Sequence, residues 1–193
     1  MKVSEELTYI TSDLHLNHSN IIKFCNRPFR DIKQMDEYIF RQIDALPENS
    51  QLINLGDVAM AYRTPLPVMQ YYVSRMKKNN KKLVLILGNH DREVIKGYEA
   101  YDYFMDAGFD RVYEHPILLE RYGIILSHEP VFLTEEMPYF NVHGHIHNSI
   151  MTTNYFEQSC ALNRYINACV DVNGFAPIKL NNILSYVEKE STK

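Results

Sequence analysis

Residues 83–91 read LVLILGNHD. Five consecutive apolar residues run into a glycine and then three side chains that can bind a metal or a proton. An apolar run this short, without alternation, fits a strand buried on both faces. In an open α/β sheet, ligands sit in the crevice beyond the carboxyl ends of the strands. The polar end of this strand is therefore read as something delivered to a site.

Working outward, strands alternate with helices in the first half of the chain. Residues 7–13 (LTYITSD) and 50–57 (SQLINLGD) read as strands flanking an amphipathic helix over 31–46. In that helix Ile32, Met35, Ile39, Ile43 and Leu46 share a face, and Asp31 caps it with Gln34 three residues on. A second helix is expected over 64–80, with Thr64 as cap and Pro65 at the first position. Later the style changes. Residues 111–128 suggest two short strands, VYEHPILLERY and GIILSH, turning near Tyr122 and Gly123. Further strands are expected at 139–145 and 165–172, and a last helix at 181–189. Helices between strands early and strand next to strand late predict a mixed sheet in a layered α/β arrangement. No repeat or flexible linker divides the 193 residues, so one domain with a short polar tail from about 188 is expected.

Composition narrows the function classes. The net charge of -4 argues against a partner held mainly through a nucleic-acid backbone. No apolar run reaches membrane-span length, and the start of the chain lacks a signal-peptide core. Cys25, Cys160 and Cys169 are odd in number and never spaced C-x-x-C. A disulfide framework is therefore not expected, and a reducing cytoplasm is the natural setting.

The delivery repeats. Five segments end in metal-binding chemistry: Asp13-Leu14-His15, Gly56-Asp57, Gly88-Asn89-His90-Asp91, Ser127-His128, and Gly144-His145-Ile146-His147. Five of the eight histidines fall in these blocks. Mixed carboxylate and imidazole donors suit Mn, Fe, Zn or Ni. D-x-H and H-x-H on an extended segment would put both side chains on one side. The glycines would let the backbone turn and approach closely before each ligand.

These blocks, in this order, resemble the calcineurin-like metallophosphoesterase superfamily. The segment HLNHSNIIKFCNRPF, from His15, also resembles its small bacterial and phage members. The resemblance implies a four-layer fold, a β-sandwich flanked by helices, and a two-metal centre. It implies Asp13, His15, Asp57 and His147 on one ion. Asp57, Asn89, His128 and His145 would hold the other, with Asp57 bridging. His90 would stand over the substrate phosphate, oriented by Asp91, and the nucleophile would be a metal-bound hydroxide. Mn is the expected metal. His18 and Arg27 (in NRPF) are weaker candidates for contacting substrate, Arg27 because a guanidinium fork suits phosphate. His143 is placed on the same face as His145. Tyr62, Tyr139, Phe140 and Tyr155 fall near the site loops, where one could stack on a base or aryl group. The expected substrate is a small phosphodiester of the cyclic or nucleotide type. The alternatives are a phosphomonoester or nucleotide pyrophosphate, or a scaffold on the same fold without catalysis.

Overall fold

The computed structural model describes residues 2–192. Among these residues nine strands form two sheets. The first holds β1 (Thr8–Thr11), β2 (Gln51–Asn54), β3 (Lys82–Ile86), β4 (Arg111–Tyr113) and β9 (Ile178–Lys179). Its order is β4-β3-β2-β1-β9, parallel apart from β9. The second holds β5 (Ile117–Leu119), β6 (Ile124–Leu126), β7 (Phe140–His143) and β8 (Tyr165–Asn167), in that order. Six α-helices accompany them: α1 (Ser19–Phe24), α2 (Ile32–Asp44), α3 (Leu66–Met76), α4 (Asn89–Arg92), α5 (Ala100–Ala107) and α6 (Leu180–Ser191).

The opening run now has a physical account. β3 lies second from an edge in the first sheet, with a packed layer on each face. Leu83, Leu85 and Leu87 point into a core shared with Met35, Ile39 and Ile43 of α2 and Met69, Val73 and Met76 of α3. Val84 and Ile86 point the other way, into a core shared with Leu119, Ile124, Leu126, Phe140 and Val142 of the second sheet. The period of two thus feeds two cores at once, and no position is left for a polar side chain. α6 closes the core between the sheets with Leu180, Ile183 and Leu184. The outer face of the second sheet is covered by Leu133, Phe132 and Phe156 from the segment 129–164, whose helical turns are short 3-10 pieces.

Several expected elements differ in detail. Residues 111–122 do not form one strand. Val112 pairs in the first sheet and Ile117–Leu119 in the second, with Glu114-His115-Pro116 crossing between them. Pro116 lacks the amide that a continuous ladder needs. The hairpin near Tyr122-Gly123 forms as expected, with Gly123 at φ 61°. Asp31 caps α2, accepting from the Gln34 amide at 2.9 Å. Thr64 does not cap α3; its hydroxyl donates back to Met60 O. The sequence pattern gives no sign of α1, α4, α5 or β9. α5 buries Tyr103, Phe104 and Ala107 and stops at left-handed Gly108, φ 106°.

Candidate metal centre

The strand ends converge, though not by strand geometry. Asp13, His15, Asp57, His145 and His147 all have positive φ, between 50° and 70°. Left-handed residues that are not glycine are uncommon, and they cluster where surrounding structure holds them for a purpose. The side chains of each D-x-H and H-x-H pair are brought together by tight turns beyond β1 and β7, not by an extended backbone. The turns are stacked. Asp13 N donates to Gly56 O, and His15 N to Asp57 O, so the loop after β1 continues the parallel pairing into the loop after β2. Two glycines permit the approach. A Cβ on Gly56 would lie 2.6 Å from Gly88 Cα, and one on Gly144 would lie 1.9 Å from Ser12 Oγ and 2.4 Å from Asp13 Oδ2.

Two groups of donor atoms result. In the first, His15 Nε2 and His147 Nε2 lie 3.8 and 3.7 Å from Asp13 Oδ1. In the second, Asn89 Oδ1 lies 2.9 Å from His128 Nε2 and 3.0 Å from His145 Nδ1. Asp57 Oδ2 stands between them, 3.5 Å from His15 Nε2 and 3.6 Å from His128 Nε2.

The residues behind these donors leave several of their atoms bare. Asp13 Oδ2 accepts from His145 N and from the Cys169 thiol, at 2.9 and 3.1 Å, while Asp13 Oδ1 is buried without a partner. His15 Nε2 is likewise buried and unpaired. His128 Nδ1 lies 2.9 Å from Leu55 O. A carbonyl only accepts, so the hydrogen is on Nδ1, and the Nε2 lone pair of a neutral ring points at the Asn89 oxygen. His147 Nδ1 is held by Asp171 at 2.8 Å, which turns its Nε2 toward Asp13. Lone pairs facing lone pairs, in a pocket with the buried carboxylates of Asp13 and Asp57, fit a cation. Asp13, His15 and His147 make one group able to hold a metal ion; Asp13, Asp57 and His128 make another.

Titration follows the same logic. Burial, then the Asp91 and Asp13 carboxylates, raise Asp57 far above the ordinary carboxylate range. Burial alone would lower His147, but the Asp171 hydrogen bond and nearby groups carry it up to about 10. Both shifts mean that the metal-free fold binds protons the unfolded chain would release. Stability from His147 is fully present below its unfolded value of 6.5 and is lost as pH rises through about 10. Asp57 has the same sign. The melting temperature of chelator-treated protein is therefore expected to fall from pH 6.5 to pH 9.5, and Mn is expected to remove most of that fall. A flat profile without metal would contradict this charge assignment.

The remaining expected residues separate. His90 donates its backbone amide to Asp57 Oδ1 at 2.9 Å, and its half-buried ring stands edge-on to His15, 5.5 Å between centroids. Burial lowers its pKa, while Glu93 and Asp13 pull the other way. His18 reaches the site margin, Nδ1 3.4 Å from His15 Nδ1. Asp91 does not orient His90. Its carboxylate accepts from the amides of Asp57, Gly88 and Val58, at 2.6, 3.0 and 3.1 Å, and so pins the loops after β2 and β3 together. Arg27 does not reach out to substrate. It is buried, and its five N–H groups go to both oxygens of Asp171, to Leu14 O and Asp13 O, and to Met35 Sδ. His143 faces inward beside Tyr165 rather than toward His145, with Nδ1 on Gly144 O. Asp171, which orients His147 and neutralises Arg27, was not singled out in the sequence. It follows the last strand of the second sheet in an unremarkable Val-Asp-Val.

Residues 7–174 match the calcineurin-like phosphoesterase family. The chain belongs to that family. Members of the calcineurin-like phosphoesterase family carry out metal-dependent phosphoester hydrolysis, and the donor set described above fits a divalent metal. Among individual proteins, the chain is 27% identical over 186 residues to an uncharacterized protein of Methanocaldococcus jannaschii, covering 94% of this chain and 91% of that one. It also resembles the crystal structure of a protein of unknown function from Aquifex aeolicus, with a TM-score of 0.66 and 24% identity. That match spans 91% of this chain and 96% of the other, and shows a shared fold. No helix among the described residues is long and apolar enough to cross a membrane.

Proposed function

We propose that this family member is a phosphodiesterase with a two-metal centre, working as one domain in a reducing cytoplasm. The observation that carries this reading is the position of Asp57 Oδ2, within 3.6 Å of imidazole nitrogens from both donor groups. Asp13, His15, Asp57 and His147 would hold one ion, and Asp57, Asn89, His128 and His145 the other. When bound, a pair of divalent ions supplies Lewis acidity toward the phosphoryl oxygens and an activated water. The protein's own part is positioning. His90, fixed through its backbone to Asp57, faces the phosphate and can donate a hydrogen to an oxygen that gains charge.

The preference for diesters rests on space around the ligands. A cavity of about 380 Å³ opens beside Asn89 and His128, lined also by Arg92, His115 and Glu129. A second, of about 440 Å³, opens beside His145 and His147. A phosphate bound between them has room for a substituent on each side, which a monoester does not use. The mixed oxygen and nitrogen donors favour Mn, with Fe, Zn or Ni as competitors set by availability.

The test is hydrolysis of bis(p-nitrophenyl) phosphate beside p-nitrophenyl phosphate, using metal-stripped protein with Mn restored. Metal-dependent turnover, faster on the diester, is expected. Faster monoester turnover would replace this reading with a phosphomonoesterase. No turnover of either, with two ions bound per chain, would sink the catalytic reading in favour of a binding module.

A further inference from the structure

The two most exposed large apolar side chains among the described residues are Ile150, 87% exposed, and Phe24, 74% exposed. A single exposed apolar residue needs no explanation. These two line one cavity, which His145 and His147 also line. Tyr155 lines it as well. Of the four aromatic residues the sequence offered for stacking, Tyr139 and Phe140 are used in cores, and Tyr62 lies under Arg63. Only Tyr155 of the four lines this cavity, and Phe24 joins it from the end of α1.

Phe24 is placed by the structure around it. Ile21 is the buried residue of α1 and packs into the main core. Phe24 is the last residue of α1, where the helix ends and its side chain is exposed, with its ring edge-on to His18, which in turn touches His15. The facing wall is tied to the same spot, since Asn148 donates to Cys25 O at 3.2 Å. That hydrogen bond ties the end of α1 to the loop after His147. Among the residues lining this cavity there is no lysine, arginine, aspartate or glutamate. Apart from His145 and His147, its lining is uncharged. It is suited to an uncharged ring, and its volume admits a group of nucleoside size.

We propose that this cavity holds the base of a nucleotide-type phosphodiester, with the base stacked on Phe24 and flanked by Ile150 and Tyr155, so that Phe24 determines substrate preference. This rests on the phosphodiesterase reading above, because a phosphate at the metal centre directs its ester substituent across His147 into the cavity. Stacking on an aromatic side chain tolerates any base, so breadth among bases is expected, with discrimination against substrates lacking a ring.

The test compares AMP with ribose 5-phosphate, which has a sugar and phosphate but no base, by calorimetry on Mn-loaded protein. AMP is expected to bind about tenfold more tightly. Phe24→Ala is expected to remove that difference and leave ribose 5-phosphate unchanged. The chain has no tryptophan, so Phe24→Trp introduces a single reporter. Its fluorescence should be quenched by AMP and not by ribose 5-phosphate, and Ile150→Ser should weaken AMP in the same sense as Phe24→Ala. Equal binding of the two ligands, or a Phe24→Ala variant that keeps the difference, would overturn the base site while leaving phosphodiester hydrolysis standing. If neither ligand binds and bis(p-nitrophenyl) phosphate is not cleaved, the underlying reading fails as well.

Discussion

Asp57→Asn is expected to lower diester turnover about 10³-fold while raising the stability of the metal-free protein. The two effects have one cause. Asp57 is buried between Asp13 and Asp91, and burial with like charge opposes its ionisation. Without metal, the carboxylate is a cost to the fold. With metal, its Oδ2 stands between the two donor groups, near both His15 and His128. Asparagine keeps what the fold needs from this position. Its Oδ1 can still accept from His90 N, and asparagine tolerates the left-handed backbone, φ 55°, better than most residues. What it loses is the negative charge between two cations. Metal content by mass spectrometry of the native protein should fall below two ions per chain. Thermal denaturation with chelator should show a higher melting temperature than wild type, most clearly above pH 8. A variant that is destabilised without metal, or that keeps both ions and full turnover, would show that Asp57 does not have this position in solution.

How much of this was legible in the sequence depends on the kind of information. The run at 83–87 marks a doubly buried strand because each residue must feed a core, and its polar end marks a site because nothing in packing asks for it. The same contrast between apolar run and polar end reveals Asp13, Asp57, His128 and His145. Partners inside the second shell leave no such mark. Asp171 looks like an ordinary acidic residue in a loop, and only its distance to His147 and Arg27 gives it a role. Asp91 was noticed for its place in GNHD, but a motif carries no direction, and its carboxylate turns away from His90 toward backbone amides. The left-handed turns at Asp13 and His15 were equally hidden. An alternating D-x-H pattern can bring two side chains together on a strand or across a tight turn, and the sequence is the same in both cases. α5 leaves no clear mark because Ala100–Ala107 is only about two turns long, too short to show a helical period.

Arg27 tests that lesson directly, because its two readings predict opposite results. As a phosphate ligand it would be mobile and exposed. Removing it would weaken substrate binding and change stability by no more than about 0.5 kcal/mol. In the structure its guanidinium is wholly buried, paired with both oxygens of Asp171 and bound to the carbonyls of Asp13 and Leu14. Removing one partner of a buried pair leaves the other uncompensated and costs about 3–5 kcal/mol. Arg27→Ala is therefore expected to lose stability of that order in urea denaturation. A second effect follows through Asp171. Freed from Arg27, this carboxylate has His147 as its remaining charged partner and holds the imidazolium form more firmly. Metal must displace that proton to bind, so affinity at neutral pH should fall about 10- to 100-fold. Replacing Asp171 with asparagine in the same chain should recover part of the stability, because the neutral amide does not need the guanidinium. It should not restore metal affinity, since His147 then loses the carboxylate that orients it. A stable Arg27→Ala protein with a raised KM would return Arg27 to the substrate. The structure leaves that residue no free N–H to offer a phosphate.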